Sequence, residues 1–392
     1  MSKINDLIKE LCPNGVEFKP LREVCIKVQD GNYGKDYPKI NELKSEGIAL
    51  INGKAIHGKI VKEAVDYISE EKNEQMKKAR IYTDDVLFLN RGNIGETAMV
   101  TEEYNNCNIG PQVTLLRANQ DFIRPKFLKH ILHSNHVRKI INTFTGSTIR
   151  FVSVEPMRDM IIPVPPLEVQ DEIVRILDKF DELEANLEAE LEARKSQYEF
   201  WRDKIFRSSD NMITIGETCD VLTGGEPPED TIKGLESDEE HPYPVYGNGK
   251  EIYGYSSSYR VDKDSTVISS IGANTGAIYY RKACFTPIIR LKVVVPKNDN
   301  ILPRYLYHAL QTSKFKSKSG SVPNLNANDI KSIKFPLVSL EKQKYIINVL
   351  DKFDTLINDT TVGISAEIEL RKQQYEYYRN KLLSFEEVNV SE

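Results

Sequence analysis

Apolar residues fall on an alternating four-three spacing over two long stretches of the chain. In the first, Ile173, Leu177, Phe180, Leu187, Leu191, Tyr198, Trp201 and Ile205 trace the seam of a coiled coil, interrupted by the polar Glu184 and Arg194. In the second, Ile346, Leu350, Phe353, Ile357, Ile364, Ile368, Tyr375, Tyr378 and Leu382 do the same. Both read as long helices, and they are copies. Leu177-Asp178-Lys179-Phe180-Asp181 returns as Leu350-Asp351-Lys352-Phe353-Asp354, and Arg194-Lys195-Ser196-Gln197-Tyr198-Glu199 as Arg371-Lys372-Gln373-Gln374-Tyr375-Glu376. The offset is 173 positions early in the helix and 177 late in it, so four residues have entered the second copy near Thr360-Thr361-Val362-Gly363. Four residues make nearly one helical turn. The insertion is therefore expected to keep the seam facing its partner while lengthening the rod by roughly 6 Å.

Outside the rods the period changes. Ile4, Leu7, Ile8 and Leu11 predict a short helix ending at Cys12-Pro13-Asn14-Gly15, and from Leu21 to about Pro163 short β-type runs alternate with glycine-rich turns. Gly47 to Ile51, Asp85 to Leu89 and Val113 to Leu116 are the clearest strands, and a helix starts at Pro125. This segment recurs too. Leu21 to Cys25 resembles Ile215 to Cys219; Asn52-Gly53-Lys54 returns as Asn248-Gly249-Lys250; Gly92-Asn93-Ile94-Gly95 has its counterpart between Gly272 and Gly276. Pro125, Phe127-Leu128 and His130 map to Pro303, Tyr305-Leu306 and His308.

The predicted fold class is therefore α/β (mixed α+β), a tandem duplication of one unit consisting of a globular domain and a long helix. The expected parts are residues 1–160, a central helix over 161–207, a second globular domain over 208–335, and a C-terminal helix with a short tail over 336–392. Proline-rich connectors lead into each rod, and a short polar linker from Arg207 to Asn211 leaves the first. The second domain joins the end of one rod to the start of the other. If the rods pair along their seams, they pair antiparallel, with an approximate two-fold axis inside one chain.

Composition sharpens this picture. With 392 residues, 40% hydrophobic and 28% charged, the chain has the make-up of a globular protein. No apolar run approaches a membrane span and the opening residues carry no signal-peptide pattern, so a cytoplasmic protein is expected. Five scattered cysteines without a Cys-x-x-Cys pair point to reduced thiols rather than disulfides or structural zinc. The net charge of −5 argues against a uniformly basic coat, but charge is segregated. Between Asp121 and Arg150, six bases (Arg124, Lys126, Lys129, Arg138, Lys139, Arg150) face one acid. Between Gln311 and Lys334, five lysines face Asp329. The first rod is acidic. The basic segments are candidates for contacts to phosphate.

Catalytic constellations are missing. There is no phosphate-binding loop, no dinucleotide fingerprint and no Asn/Asp-Pro-Pro-Tyr/Phe run. Glu226-Pro227-Pro228-Glu229-Asp230-Thr231-Ile232-Lys233 reads as a charged loop rather than a nuclease site. His130, His133 and His136 are too far apart around a helix to share a metal, and no metal ligands are assigned. What remains is turn chemistry suited to binding. Asn32, Tyr33 and Lys35; Asn90, Arg91 and Asn93; Ser147, Thr148 and Arg150 lie on glycine-rich turns of the first domain. Tyr246, Asn248 and Lys250, then Asn274, then Lys318, Ser319 and Ser321 lie on those of the second. Such side chains hydrogen-bond base edges and phosphates, and paired sets on a rigid spacer suit two half-sites on a duplex.

These motifs carry a resemblance. Leu167-Glu168-x-Gln170 and Leu340-Glu341-x-Gln343 after proline-rich entries, the Leu-Asp-Lys-Phe-Asp and Arg-Lys-x-Gln-Tyr-Glu blocks, and the opening Leu11-Cys12-Pro13-Asn14-Gly15-Val16-Glu17-Phe18 resemble the DNA specificity subunit of type I restriction-modification enzymes over nearly the full length. The resemblance implies two target-recognition domains, each reading half of a split double-stranded DNA sequence. It implies rods that set the gap between halves and dock modification (methyltransferase) subunits, two of them, through Leu177, Phe180, Leu187, Leu191, Tyr198, Trp201, Leu350, Phe353, Ile357, Ile364, Ile368, Tyr375 and Tyr378. Chemistry would be delegated: S-adenosylmethionine to the modification subunit, ATP and Mg to the restriction (endonuclease) subunit, and no cofactor to this chain. The alternatives are a recognition module working with a type II-like nuclease or methyltransferase, and a coiled-coil protein adaptor.

Overall fold

A computed structural model describes residues 2–144, 151–207, 211–234, 236–313, 325–359 and 361–388. Two compact units divide it, one built from Met1–Asn186 with Glu369–Glu392 and the other from Leu187–Ile368. Each unit thus takes a globular domain together with part of each rod, so the division cuts through the long helices.

The first unit opens with α1 (Ser2–Leu11). Its main sheet is antiparallel throughout and runs β1 (Cys25–Asp30), β4 (Val113–Ala118), β2 (Val86–Leu89), β3 (Thr97–Met99) in space. β2 is buried along its whole length because both of its faces are covered. The pleat sends Val86 and Phe88 to one core, with Leu116, Phe127 and Ile131, and Leu87 and Leu89 to another, with Ile51, Ile81 and Ile109. A second sheet (Asp66–Ile68, Ile48–Ile51, Cys107–Ile109, Arg80–Ile81) covers the latter core, its Ile48–Ile51 and Cys107–Ile109 strands parallel. α2 (Pro125–Leu132), with proline in its first turn, covers the other.

The second unit repeats this plan. β5 (Cys219–Thr223), β8 (Lys292–Pro296), β6 (Ser265–Ile268) and β7 (Ile278–Arg281) form the equivalent sheet in the equivalent order. Val267 and Val293 face one core, Ile268 and Val294 the other. A smaller sheet again contains a parallel pair, Tyr243–Tyr246 with Thr286–Pro287. The helix from Pro303 returns as well. In each domain a two-stranded ribbon closes start against end: Glu17–Pro20 on Ile161–Val164, and Met212–Thr214 on Lys334–Pro336.

The first rod is α3 (Leu167–Arg207), 41 residues without interruption. In the second unit, α4 (Pro303–Leu310) precedes the other rod, which is not one helix but two, α5 (Leu340–Asn358) and α6 (Ile364–Leu382). This corrects the expectation that the four inserted residues add a helical turn. The Asp359 carboxylate accepts the backbone N–H of Thr361 (2.7 Å) and of Val362 (3.2 Å) as well as the Thr361 hydroxyl (2.5 Å). Such local bonds compete with the helical ladder. Gly363 then lies so close to the preceding turn that a Cβ would meet the carbonyl oxygens of Thr355, Leu356 and Asp359 at 2.7–2.8 Å. Thr360 itself is outside the described residues.

Within the first unit α3 and α6 run antiparallel: Phe180 meets Tyr378 and Tyr375 at ring separations of 5.6 and 5.9 Å, and further along α3 Glu184 meets Lys372 at 3.4 Å, earlier in α6. Within the second unit Tyr198 of α3 meets Phe353 of α5. Most of the predicted seam faces inward. Trp201 does not; it is 41% exposed and stands edge-on to Phe200. Beyond Tyr198 the inward positions step by four to Arg202 and Phe206, the drift of a straight helix from a seven-residue repeat, and Phe206 packs on Tyr305. Among the described residues no helix is long and apolar enough to cross a membrane.

Candidate nucleic-acid interface

The loops predicted to bind include two hairpin tips of similar build, one over residues 90–96 and a longer one over 269–277. Between β2 and β3, the N–H of Gly95 donates to the Leu89 carbonyl, Ile94 to Gly92, and Glu96 to Asn93. Between β6 and β7, Gly276 donates to Ser269, Thr275 to Gly272, and Ala277 to Asn274. The glycines at both ends of each tip have positive φ (82° and 98°; 82° and 89°), which explains their recurrence in the sequence. Arg91 and Asn93 on one tip and Asn274 on the other are exposed. The Arg91 guanidinium lies 5.3 Å from the Phe151 ring, and among the described residues no carboxylate pairs with it.

The other predicted contacts divide. Tyr33, with Lys78 4.2 Å above its ring, is exposed, as are Lys35 and Lys250. Asn32 and Asn90 are turned inward. The Asn32 amide donates to Asn108 Oδ1 (2.8 Å) and the Ile109 carbonyl (3.2 Å), and the Asn90 amide to Thr114 Oγ1 (2.9 Å). Asn248 accepts the Ser270 N–H through Oδ1 (2.8 Å) and donates to the Ile289 carbonyl. Tyr246 is half-buried against Phe285, with Arg281 3.9 Å from its ring. Ser147, Thr148, Arg150, Lys318, Ser319 and Ser321 lie outside the described residues.

The basic segment after Asp121 is not the free phosphate surface expected of it. Arg124 pairs with Asp171 (2.9 Å), Lys126 with Asp178 (2.5 Å), Lys129 with Asp181 (3.6 Å) and Arg138 with Glu376 (3.3 Å). The bases of α2 and its neighbour meet the acids of the rods because these helices pack together. Base and acid patches that are far apart in the sequence neutralise one another in space.

That junction contains a side-chain arrangement present in both units. In the first, the N–H of Arg124 donates to Gln170 Oε1 (2.8 Å), while the Gln170 amide donates to the carbonyls of Phe122 and Pro165 (both 2.8 Å). In the second, Leu302 N–H donates to Gln343 Oε1 (2.9 Å), and Gln343 donates to Asn300 (2.8 Å) and Val338 (2.9 Å). Both glutamines are fully buried. Two turns along each rod a histidine is held between an acid and a tyrosine. His130 Nδ1 lies 3.1 Å from the Tyr375 hydroxyl and Nε2 3.4 Å from Asp178. His308 Nδ1 lies 3.0 Å from the Tyr198 hydroxyl and Nε2 2.7 Å from Asp351. With Nε2–H donating to the acid, each Nδ1 can accept a hydrogen bond from the tyrosine hydroxyl; the Tyr198 hydroxyl also has Gln311 Oε1 within reach, at 3.2 Å. Hydrogen bonding from His130, with Lys126 adding to it, holds the Asp178 carboxyl down to about 2. Burial would raise Asp351, but His308 and Arg304 bring it below the ordinary value.

Helical spacing set His130 aside as a metal ligand and gave it no other role. The signal that finds these two histidines is the pairing of His130 with His308 across the repeat. His130, Asp178 and Asp181 have ligand atoms close enough to suit a metal. Lys126, Lys129 and Tyr375 already occupy those groups, so the cluster reads as an ion-paired junction. His133 bonds Thr97 (2.7 Å) and His136 the Ile161 carbonyl (2.9 Å), so the three histidines point to three different partners.

A chain made of two like units, each with a structured hairpin tip and a share of both rods, has the architecture of a tandem recognition protein. The family model for the type I restriction modification DNA specificity domain matches residues 13–193 and again 210–370, and the chain belongs to that family. A protein of Mycoplasma pneumoniae named as a type I specificity subunit is 35% identical over 302 residues, 72% of this chain and 86% of that protein. The specificity subunit of an Escherichia coli type I restriction enzyme is 34% identical over 248 residues, 57% of this chain and 61% of that protein. In fold, the chain is similar to the S subunit of a type I restriction-modification system from M. genitalium (TM-score 0.58, 17% identity, covering 94% of this chain and 96% of that one). A chain from a study of type I complex assembly gives a TM-score of 0.61 at 18% identity, covering 95% and 98%.

Proposed function

We propose that the chain is the sequence-reading subunit of a type I restriction-modification complex. Each recognition domain reads one half of a split duplex target, and the rods carry modification subunits, two in number, with a restriction subunit joining them. The chain catalyses nothing itself. Methyl transfer from S-adenosylmethionine takes place on the modification subunits, and ATP- and Mg-dependent work on the restriction subunit. The observation that carries this reading is the pair of hairpin tips, alike in their positive-φ glycines and in being closed by backbone bonds, and different in length and in exposed side chains. Readers of two unequal half-sites need such a common frame with divergent tips, because sequence is read by side chains at base edges.

The test is modified-base sequencing of DNA from methylation-deficient cells that express the chain with its modification subunit. A two-part motif separated by unspecified bases is expected, and exchange of residues 211–336 for those of a relative should alter one half only. An undivided motif, or methylation by the chain alone, would overturn the reading.

A further inference from the structure

Each globular domain touches its rod at two buried polar points, and those points are the same in both units. Gln170 and Gln343 take the N–H that precedes α2 and α4, respectively. Asp178 and Asp351, eight residues further along the rod, take the histidine one and a half turns into the same helix. Eight residues are about 12 Å of rod. One contact would set where the helix sits; two set its direction as well. A tyrosine from the other rod, Tyr375 or Tyr198, closes each clasp from the far side of the imidazole. The rods exchange roles between units, since α3 supplies the acid to the first clasp and the tyrosine to the second. A cation one turn before each histidine, Lys126 or Arg304, reaches the same carboxylate (2.5 and 2.7 Å).

Polar clasps of this kind are a weak way to gain stability, because apolar side chains of similar volume hold an interface at least as well. What they supply is a single geometry, since hydrogen bonds are directional and a buried donor without its acceptor is costly. We propose that the His130 and His308 clasps, with Gln170 and Gln343, are positioning residues that set the length of DNA tolerated between the half-sites. The inference rests on the reading of the chain as a split-target reader. One base pair changes the separation of half-sites by about 3.4 Å and their rotational phase by about 34°. A domain locked to its rod at two points rejects that change. A domain released at one point pivots about the other and accepts it. Rod length then sets the preferred gap and the clasps set its tolerance.

The experiment is modified-base sequencing in cells carrying the full chain and its modification subunit, comparing the unaltered chain with His308→Ala, Tyr198→Phe and Val267→Ala. The last is a control: Val267 is buried in one core of the second unit, while Tyr198 lies in the other. In both clasp variants the bases of the half-sites should be unchanged, while methylation at sites one base pair longer or shorter rises, roughly ten-fold for His308→Ala, which loses a hydrogen bond to a charged group, and roughly five-fold for Tyr198→Phe, which loses one between neutral groups. Val267→Ala should lower thermal stability and leave the spacing spectrum alone. Unchanged spacing in the clasp variants, or equal relaxation in the control, would overturn the proposal. Should His308→Ala fail to fold, Tyr198→Phe decides, because it removes one hydroxyl and no packing. If the unaltered chain gives no two-part motif, the underlying reading fails instead, and the two failures are told apart.

Discussion

In the first recognition domain the Asn52-Gly53-Lys54 turn is closed on itself. The Asn52 amide donates to Asp66 (2.9 Å), the Lys54 ammonium pairs with the same carboxylate (2.7 Å), and the Tyr37 hydroxyl donates to Asn52 Oδ1 (2.7 Å). In the second domain the matching Asn248-Gly249-Lys250 turn is open. Asn248 is held by backbone groups, and among the described residues no carboxylate pairs with the exposed Lys250 ammonium. Beneath it Arg281, between the Tyr246 and Tyr279 rings at 3.9 and 5.0 Å, donates to the carbonyls of Gly249 (3.2 Å) and Lys250 (2.7 Å). The same turn is thus electrically neutral in one copy and cationic in the other. The order of the main sheet and the seating of the helix on the rod stay constant between the copies. Loop charge does not, because loops change without disturbing the frame.

The strongest test of the shared frame is to remove its duplicated clamp. Gln170→Ala and Gln343→Ala each leave one buried N–H and two carbonyls without their partner, a loss of about 3–4 kcal/mol per unit. The two should be nearly equal in guanidinium or thermal unfolding. A large effect at one site with almost none at the other would show that the two junctions are alike in geometry only.

Acid should separate the units. His133 sits where the second domain has Gln311, and burial, with nearby Arg379 and Lys129 adding to it, pulls its pKa down to about 3. An imidazole that is neutral when folded but titrates near 6.5 when unfolded binds protons preferentially in the unfolded chain. Its contribution is complete above pH 6.5 and declines as the pH falls from there toward 3. At pH 5 the loss is about 2 kcal/mol relative to pH 7. His133→Gln, which copies the second domain, should therefore flatten the fall in melting temperature between pH 7 and pH 5. An unchanged pH profile would mean that this histidine is not the acid-sensitive group.

Much of this is legible in the sequence alone. The rods, the duplication, the strands around Leu50, Leu87 and Leu115 and the helix from Pro125 rest on periodicity and on proline and glycine, which act locally. Three features were not legible, for one common reason. The insertion has the length of a helical turn, but Asp359 captures the N–H groups that a turn would need. Asn32 and Asn90 have turn-forming side chains, yet partners far along the chain, Asn108 and Thr114, draw them inward. Arg124 through Arg138 form a basic run whose partners, Asp171 through Glu376, lie elsewhere in the sequence. Local composition states what a side chain can bond. Only the fold states which partner reaches it first.

The charge difference between the two Asn-Gly-Lys turns leads to the finest prediction. If both turns face the duplex, Lys250→Ala removes an unpaired cation, and Lys54→Ala removes one already matched by Asp66. Release of one condensed counterion should be lost in the first case and not in the second. Duplex binding by the chain with its modification subunit should then weaken about five-fold for Lys250→Ala at physiological salt, with the slope of log affinity against log salt reduced by about 0.9. Lys54→Ala should stay within about two-fold, with its slope unchanged. Asp66→Ala would sharpen the contrast further, because it frees Lys54 and should steepen the slope. Equal slopes for all three variants would place both turns away from the phosphates and leave the hairpin tips as the surfaces that meet DNA.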